Sequence, residues 1–271
     1  MAIVTISRGT FGGGKAVAEG LAAELGYNCV SREEIISEAA EIYGIPENNL
    51  RDSIIKPPGP LGINANNSIT RVKYIRATLL NHCGDHKMVY HGHGGHLLLQ
   101  NIPCLLRVKV IACIEYRIEH AMKNKGVTRD QALELIENLD KRRAHWGRSV
   151  WGVNFNDPSL FDLILNLDNI TPSHAIAIIV RAIEQKPFQE TDVDRQLFDD
   201  QLIVSTIWTE LIKTSPTRFA RIHLESNNKH VIVKGDVGSH KLASVITEVA
   251  NTVDGVKEVT NKLTIGSNWM W

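Results

Sequence analysis

The segment Ile3 to Leu25, IVTISRGTFGGGKAVAEGLAAEL, carries the reading on which the fold turns. Ile3, Val4, Thr5 and Ile6 favour a buried strand, and Val17, Leu21, Ala22 and Leu25 recur at the spacing of one helix face. Between them lie Gly9, Thr10, Phe11, Gly12, Gly13, Gly14, Lys15 and Ala16. Strand, glycine loop and helix, with four residues between Gly9 and the pair Gly14-Lys15, make the pattern of a phosphate-binding loop. Glycines let successive N–H groups turn inward around a polyphosphate. The helix start adds its positive dipole end, and Lys15 adds a mobile cation. An ordinary glycine-rich turn in another α/β protein is the competing reading, and the flanking strand and helix weigh against it. Ala16 stands where Ser or Thr would offer Mg²⁺ a hydroxyl.

Outward from this segment, Gly26 to Val30 reads as a second strand, and Ser31 is placed to cap a helix that ends at Gly44, Ile45 and Pro46. Residues 47–67 hold Pro57-Pro58-Gly59-Pro60 and Asn64-Ala65-Asn66-Asn67, an irregular stretch that suits either an acceptor-binding flap or a long surface loop. Helical spacing returns from Ser68 to Asn81. Lys87 to His91 forms a third strand that opens onto Gly92-His93-Gly94-Gly95-His96, and a strand's carboxyl end is where open α/β sheets build ligand crevices. His82, His86, His91, His93 and His96 suit a Zn²⁺ or Ni²⁺ site on one reading and pocket or surface imidazoles on the other. With no matching Cys or carboxylate constellation, no metal ligand is assigned.

Leu105 to Ile114 reads as a buried parallel strand, and Glu115 starts a helix ending near Gly126. Thr128 and Gln131 then approximate a capping box for a helix leading to Arg142, Arg143 and Arg148. Phosphoryl transfer chiefly needs cations around the γ-phosphate, so these arginines suit a closing lid. A solvated basic helix end is the alternative. Phe161 to Asn166 is expected as the last strand of the sheet, followed by a helix from Pro172 to Glu184.

The 271 residues, 43% hydrophobic, can bury one large core or a medium and a small one. Lys plus Arg equals Asp plus Glu at 30 each, so no polycationic surface points to nucleic acid or membrane. Cys29, Cys83, Cys104 and Cys113 lack CxxC spacing, which fits free thiols in a reducing compartment. With no leader pattern or long apolar run, the expectation is a soluble cytoplasmic protein.

The glycine loop, Ser31-Arg32-Glu33-Glu34-Ile35, Gly92-His93-Gly94-Gly95, Asp140 to Arg143 and Phe161-Asp162-Leu163-Ile164-Leu165-Asn166 occur in the order of the cytidylate-kinase-like family of P-loop kinases, which residues 1–186 resemble. The resemblance implies a three-layer α/β fold with a parallel sheet. It also implies transfer of the ATP γ-phosphate, with Mg²⁺, to a nucleoside monophosphate or related small phosphorylated acceptor. Gly9, Thr10, Gly12, Gly13, Gly14, Lys15 and Ala16 would then hold the nucleotide, Lys15, Arg142, Arg143 and Arg148 would act in transfer, and Ser31, Arg32 and His93 would meet the acceptor. Ser31 stands where aspartate is common and His93 where arginine is usual, so the fold transfers more safely than the substrate. A nucleotide-binding sensor without turnover is the second function class.

Residues 187–195 read as a linker, and 196–266 as helix, hairpin, helix and strand in a small α+β unit. Val231 to Val237 and Gly255 to Asn261 resemble the BON domain, which implies regulation or homo-oligomer contact here. Residues 267–271 form an aromatic tail with Trp269 and Trp271.

Overall fold

The computed structural model describes residues 2–55, 65–217 and 220–266. Five parallel strands form one sheet in the spatial order β2 (Asn28–Ser31), β3 (Met88–Gly92), β1 (Ile3–Arg8), β4 (Leu105–Ile111) and β5 (Leu163–Asn166). Parallel neighbours need crossover connections, and helices supply them. α1 (Gly14–Leu25) follows the glycine loop, and α8 (Pro172–Ile183) packs beside it. Alternation along β1 sends Val4 and Ile6 to this side, where they join Val89, Val108 and Val110 against Val17, Leu21 and Ile179. The opposite face meets α2 (Arg32–Tyr43) and the short α5 (Gly95–Leu98), with α4 (Ala65–His82) packed on those two helices, and every residue of β3 is buried. The result is the expected three-layer α/β arrangement.

α6 (Ile114–Lys125) and α7 (Arg129–Trp146) pack together after β4. Ser31 caps α2 and Thr128 caps α7, each closed by the side chain three residues on, Glu34 and Gln131. Two expectations change. Residues 47–67 are not irregular throughout: α3 (Glu47–Ile55) forms because the Asn49 and Leu50 N–H groups bond to Pro46, while Leu50 and Ile54, one turn apart, are fully buried. α4 starts at Ala65, ahead of the expected Ser68. Pro57 to Pro60 lie outside the described residues.

By its contacts the chain divides into two units, Met1–Glu190 and Thr191–Trp271. The second holds α9 (Asp192–Lys213), a hairpin of β6 (Arg221–Asn227) and β7 (His230–Val237), α10 (His240–Asn251) and β8 (Glu258–Ile265). β6 is antiparallel to β7, and β8 is parallel to it. Ile207 and Leu211 of α9 and Ile246 and Ala250 of α10 pack on Val231 and Val233. α9 begins before the expected Phe198 because Thr191 and Asp194 form a capping box, and the charged residues read as linker are its first turn. Trp269 and Trp271 lie outside the described residues. Among the described residues no helix is long and apolar enough to cross a membrane.

Asp200, buried within α9, accepts from the Ser226 hydroxyl and from the N–H groups of Asn228 and Lys229, at 2.9 and 2.8 Å, so one carboxylate fixes the hairpin turn. Asp200→Ala orphans those two N–H groups and is expected to cost about 3 kcal/mol. Urea unfolding followed by hydrogen exchange in β6 and β7 should show the loss, with Asp199→Ala, at an exposed ion pair, within about 0.5 kcal/mol of wild type.

Candidate functional site

At the end of β1 the chain turns sharply. The Gly9 N–H bonds to Val110 O at 3.1 Å and the Gly12 N–H to Gly9 O at 3.0 Å, while Phe11 (φ 58°) and Gly13 (φ 79°) take left-handed conformations. Glycine is required at 13 on two counts, since a Cβ there would also stand 2.7 Å from Leu167 and 2.8 Å from the Tyr116 hydroxyl. No side chain caps α1. Its first N–H groups are therefore left to whatever fills the adjoining cleft of about 820 Å³, which Gly9 through Ala16 line together with Arg8, Arg32 and Arg143. Lys15 stands exposed at this cleft, its Nζ 3.5 Å from Glu19 Oε1.

Across the loop, α7 presents Asp140 and Arg143, one turn apart and hence on one face. The Thr10 hydroxyl donates to Asp140 Oδ1 (2.7 Å), and Arg143 Nη1 donates to Thr10 Oγ1 (2.7 Å) and to Arg8 O (3.3 Å). Arg117 donates from Nε to Thr10 O (2.8 Å) and from Nη2 to Asp140 Oδ2 (2.6 Å). Arg8 and Arg32 share the carboxylate of Glu33, at 2.7 and 2.6 Å. Burial alone would raise the Glu33 pKa, but Arg32 and Arg8 hold it below the usual carboxylate range. Burial first, and then Arg32, push the Arg143 guanidinium down to about 10.

A second, smaller cavity of about 180 Å³ adjoins the loop on the same sheet edge, lined in part by Arg8, His93, Lys109, Arg143 and Phe155. Arg143 thus borders both spaces. The His93 ring stacks on Phe155 at 4.2 Å and meets Trp146 at 5.4 Å, and burial, ahead of Arg143, lowers its pKa well below the ordinary value. Burial likewise takes His96 to about 4. Both imidazoles are neutral at pH 7. Among the described residues no three His, Cys, Asp or Glu side chains gather closely enough to hold a metal.

The expected site residues divide accordingly. The loop residues, Arg32, His93 and Arg143 come together. Arg142 and Arg148 are exposed and line neither cavity, because neighbouring positions on a helix point about 100° apart and Arg148 sits in the wider turn Gly147–Trp151 after α7. Ser31 lines neither cavity either; its hydroxyl is occupied as the α2 cap. Sequence reasoning missed Arg8, Lys109, Arg117 and Asp140 as site residues. The available signals were Asp140 one turn before Arg143, and Lys109 on the β4 face opposite the buried Val108 and Val110.

The loop fits a polyphosphate: turned backbone, an uncapped helix start and cations at its rim. A Mg²⁺ held by protein side chains does not fit. Ala16 has no donor, and Glu19, Glu33 and Asp140 are each engaged by a cation.

A parallel sheet in this strand order, with a glycine loop between its central strand and the first helix, defines a P-loop kinase-type protein. The model of the cytidylate kinase-like family matches residues 3–169, and that of the BON domain residues 199–267. The chain belongs to the cytidylate kinase-like family. Its first unit is 26% identical over 178 residues to a cytidylate kinase of Sulfurisphaera tokodaii, covering 65% of this chain and 92% of that protein. A cytidylate kinase of Pyrococcus horikoshii is 28% identical over 79 residues, 29% of this chain, and the chain spans only 41% of that protein's length. An uncharacterized protein from Eubacterium ventriosum has a similar fold, with a TM-score of 0.51 and 17% identity over 68% of this chain and 98% of that one.

Because His96 is neutral when folded at pH values where the unfolded chain, near pKa 6.5, takes up a proton, stability is present above pH 6.5 and is lost as pH falls toward 4. At pH 5 the loss from His96 should reach about 2 kcal/mol. Urea unfolding at pH 7 and pH 5 should show it, and His96→Phe should shrink the difference by that amount, with buried His93 keeping its own share.

Proposed function

We propose that the first unit transfers the γ-phosphoryl group of ATP to a nucleoside monophosphate or related small phosphorylated acceptor. The observation that carries this reading is Arg143. Its guanidinium borders both cavities, is largely buried, and has only neutral acceptors and no carboxylate partner among the described residues. A buried cation in that position calls for an anion, and a phosphoryl group passing from one cavity to the other would supply it.

An oxygen of the acceptor phosphate attacks the γ-phosphorus as the bond to the β–γ bridging oxygen breaks, and ADP leaves with that electron pair. The attacking oxygen is already ionised, so no general base is required. That suits a site whose nearest carboxylate, Asp140, is already bonded to Thr10 and Arg117. The loop N–H groups and the start of α1 hold the donor phosphates, Lys15 swings over them, and Arg143 offsets the spread charge. Mg²⁺ would enter with ATP, bound to phosphate oxygens. The second unit, with no assigned chemistry, serves regulation or contact between copies.

A nucleotide sensor is the second reading, favoured by Lys15 resting on Glu19 and by Arg142 and Arg148 lying outside both cavities. ADP release from ATP with a panel of monophosphates separates the two. Acceptor-dependent release should fall at least about a hundredfold in Lys15→Ala and in Arg143→Ala, and stay within about twofold in Arg142→Ala. ATP binding with no acceptor-dependent release from any monophosphate would give the case to the sensor.

A further inference from the structure

We propose that the smaller cavity takes a compact phosphomonoester dianion, anchored by Lys109 and Arg143, and has no room for a nucleobase. This deepens the phosphotransferase reading and rests on it. Four cations, Arg8, Lys109, Arg117 and Arg143, and one carboxylate, Asp140, line the cavity. Two are already neutralised, Arg8 by Glu33 at 2.7 Å and Arg117 by Asp140 at 2.6 Å. Lys109 Nζ donates to Phe155 O at 3.0 Å and to Asn156 Oδ1 at 3.3 Å, both uncharged, and Arg143 donates to a hydroxyl and a carbonyl. Among the described residues neither has a carboxylate partner. The four cations stand against only two nearby carboxylates, Asp140, whose charge also reaches Lys109 and Arg143, and Glu33, and the positive surplus left on one small cavity suits a phosphate dianion.

Position assigns that dianion to the acceptor. Lys109 borders the small cavity and not the loop cleft, so its charge bears on the acceptor's own phosphate, while Arg143 reaches the group in transit. Size sets the rest. Pockets for nucleotide-sized ligands run from roughly 300 to 1,000 Å³. The loop cleft, at about 820 Å³, falls in that range, and the smaller cavity, at about 180 Å³, does not. It would hold about six waters, enough for a phosphate and a few more heavy atoms.

Its walls are packed. Ser7 and Arg8 come from the end of β1 and Lys109 and Ile111 from β4, and the Phe155 ring lies so close to Gly147 that a Cβ there would stand 2.0 Å away. The backbone of Gly147 backs the ring on that side. The neutral His93 imidazole beside it offers a weaker grip on an anion than an arginine would, which leaves Lys109 to supply the charge. Transfer to such an acceptor forms a diphosphate ester and ADP, with the acceptor dianion as nucleophile and no added base or oxidant.

Calorimetric titration of the full chain with two probes, glycerol 3-phosphate and cytidine 5′-monophosphate, tests the assignment without requiring turnover. Glycerol 3-phosphate should bind at least tenfold more tightly than cytidine 5′-monophosphate. Lys109→Gln should weaken it at least tenfold, and Lys109→Arg should restore most of the affinity, each with an unchanged melting temperature. Tighter binding of cytidine 5′-monophosphate would overturn the proposal, and so would glycerol 3-phosphate affinity indifferent to Lys109→Gln. Failure of the phosphotransferase reading would register separately, as anion binding that depends on Lys109 without ADP release from ATP.

Discussion

The hydroxyl of Thr10 gives its proton to Asp140 and receives one from Arg143, so a single side chain in the turn after β1 ties the phosphate loop to α7. Arg117 closes the ring from α6, bonding the carbonyl of Thr10 and the second oxygen of Asp140. Two successive helices more than 100 residues further along the chain thus meet the loop at one residue, and Arg143, held there, borders both cavities. Each bond contributes roughly 1–3 kcal/mol when one partner is charged. Without them, nothing would hold the guanidinium of Arg143 over a loop that already carries the positive ends of its own backbone dipoles.

That congestion of positive charge is the chief constraint on the site. Arg8, Arg32, Arg117 and Arg143 crowd one sheet edge, and Arg32, Arg8 and Arg117 all act to lower the Arg143 pKa. Glu33 and Asp140 each relieve part of it, Glu33 by serving two guanidinium groups. A fold that placed a third carboxylate there, or a hydroxyl at Ala16 to recruit a metal, would be electrostatically calmer and emptier of purpose. The imbalance is what makes an incoming polyphosphate favourable, since its charge replaces repulsion with hydrogen-bonded attraction.

The sheet and the loop were legible in the sequence because they rest on local signals: apolar runs such as Ile3 to Ile6, glycine spacing, and caps such as Ser31 and Thr128. The BON-like unit was legible for the same reason. α3 was obscured by the prolines and asparagines around it, although Leu50 and Ile54 mark its buried face. Site residues were harder. A run such as Arg142-Arg143 shows where charge is plentiful, but only helix phase decides which arginine turns inward, and phase depends on where α7 is packed. Lys109 was hidden by its surroundings, reading as an interruption in an apolar strand until β1 and the turn at Phe155 closed around it.

The pairing of His93 with Phe155 links packing to chemistry. An arginine at position 93 would place another cation against Arg143 and Lys109, beside the rings of Phe155 and Trp146, in a pocket whose lining carboxylate, Asp140, is already engaged by Arg117. A neutral ring can stack there and tolerate the burial, and burial keeps it neutral by depressing its pKa. A neutral imidazole is thus the side chain this pocket accommodates at position 93. On the proposed reading, the anchoring of the acceptor falls to Lys109 on β4. An anchoring cation on β4 would also set where the acceptor's body lies, which ties the proposed choice of substrate to the same aromatic wall that keeps His93 uncharged.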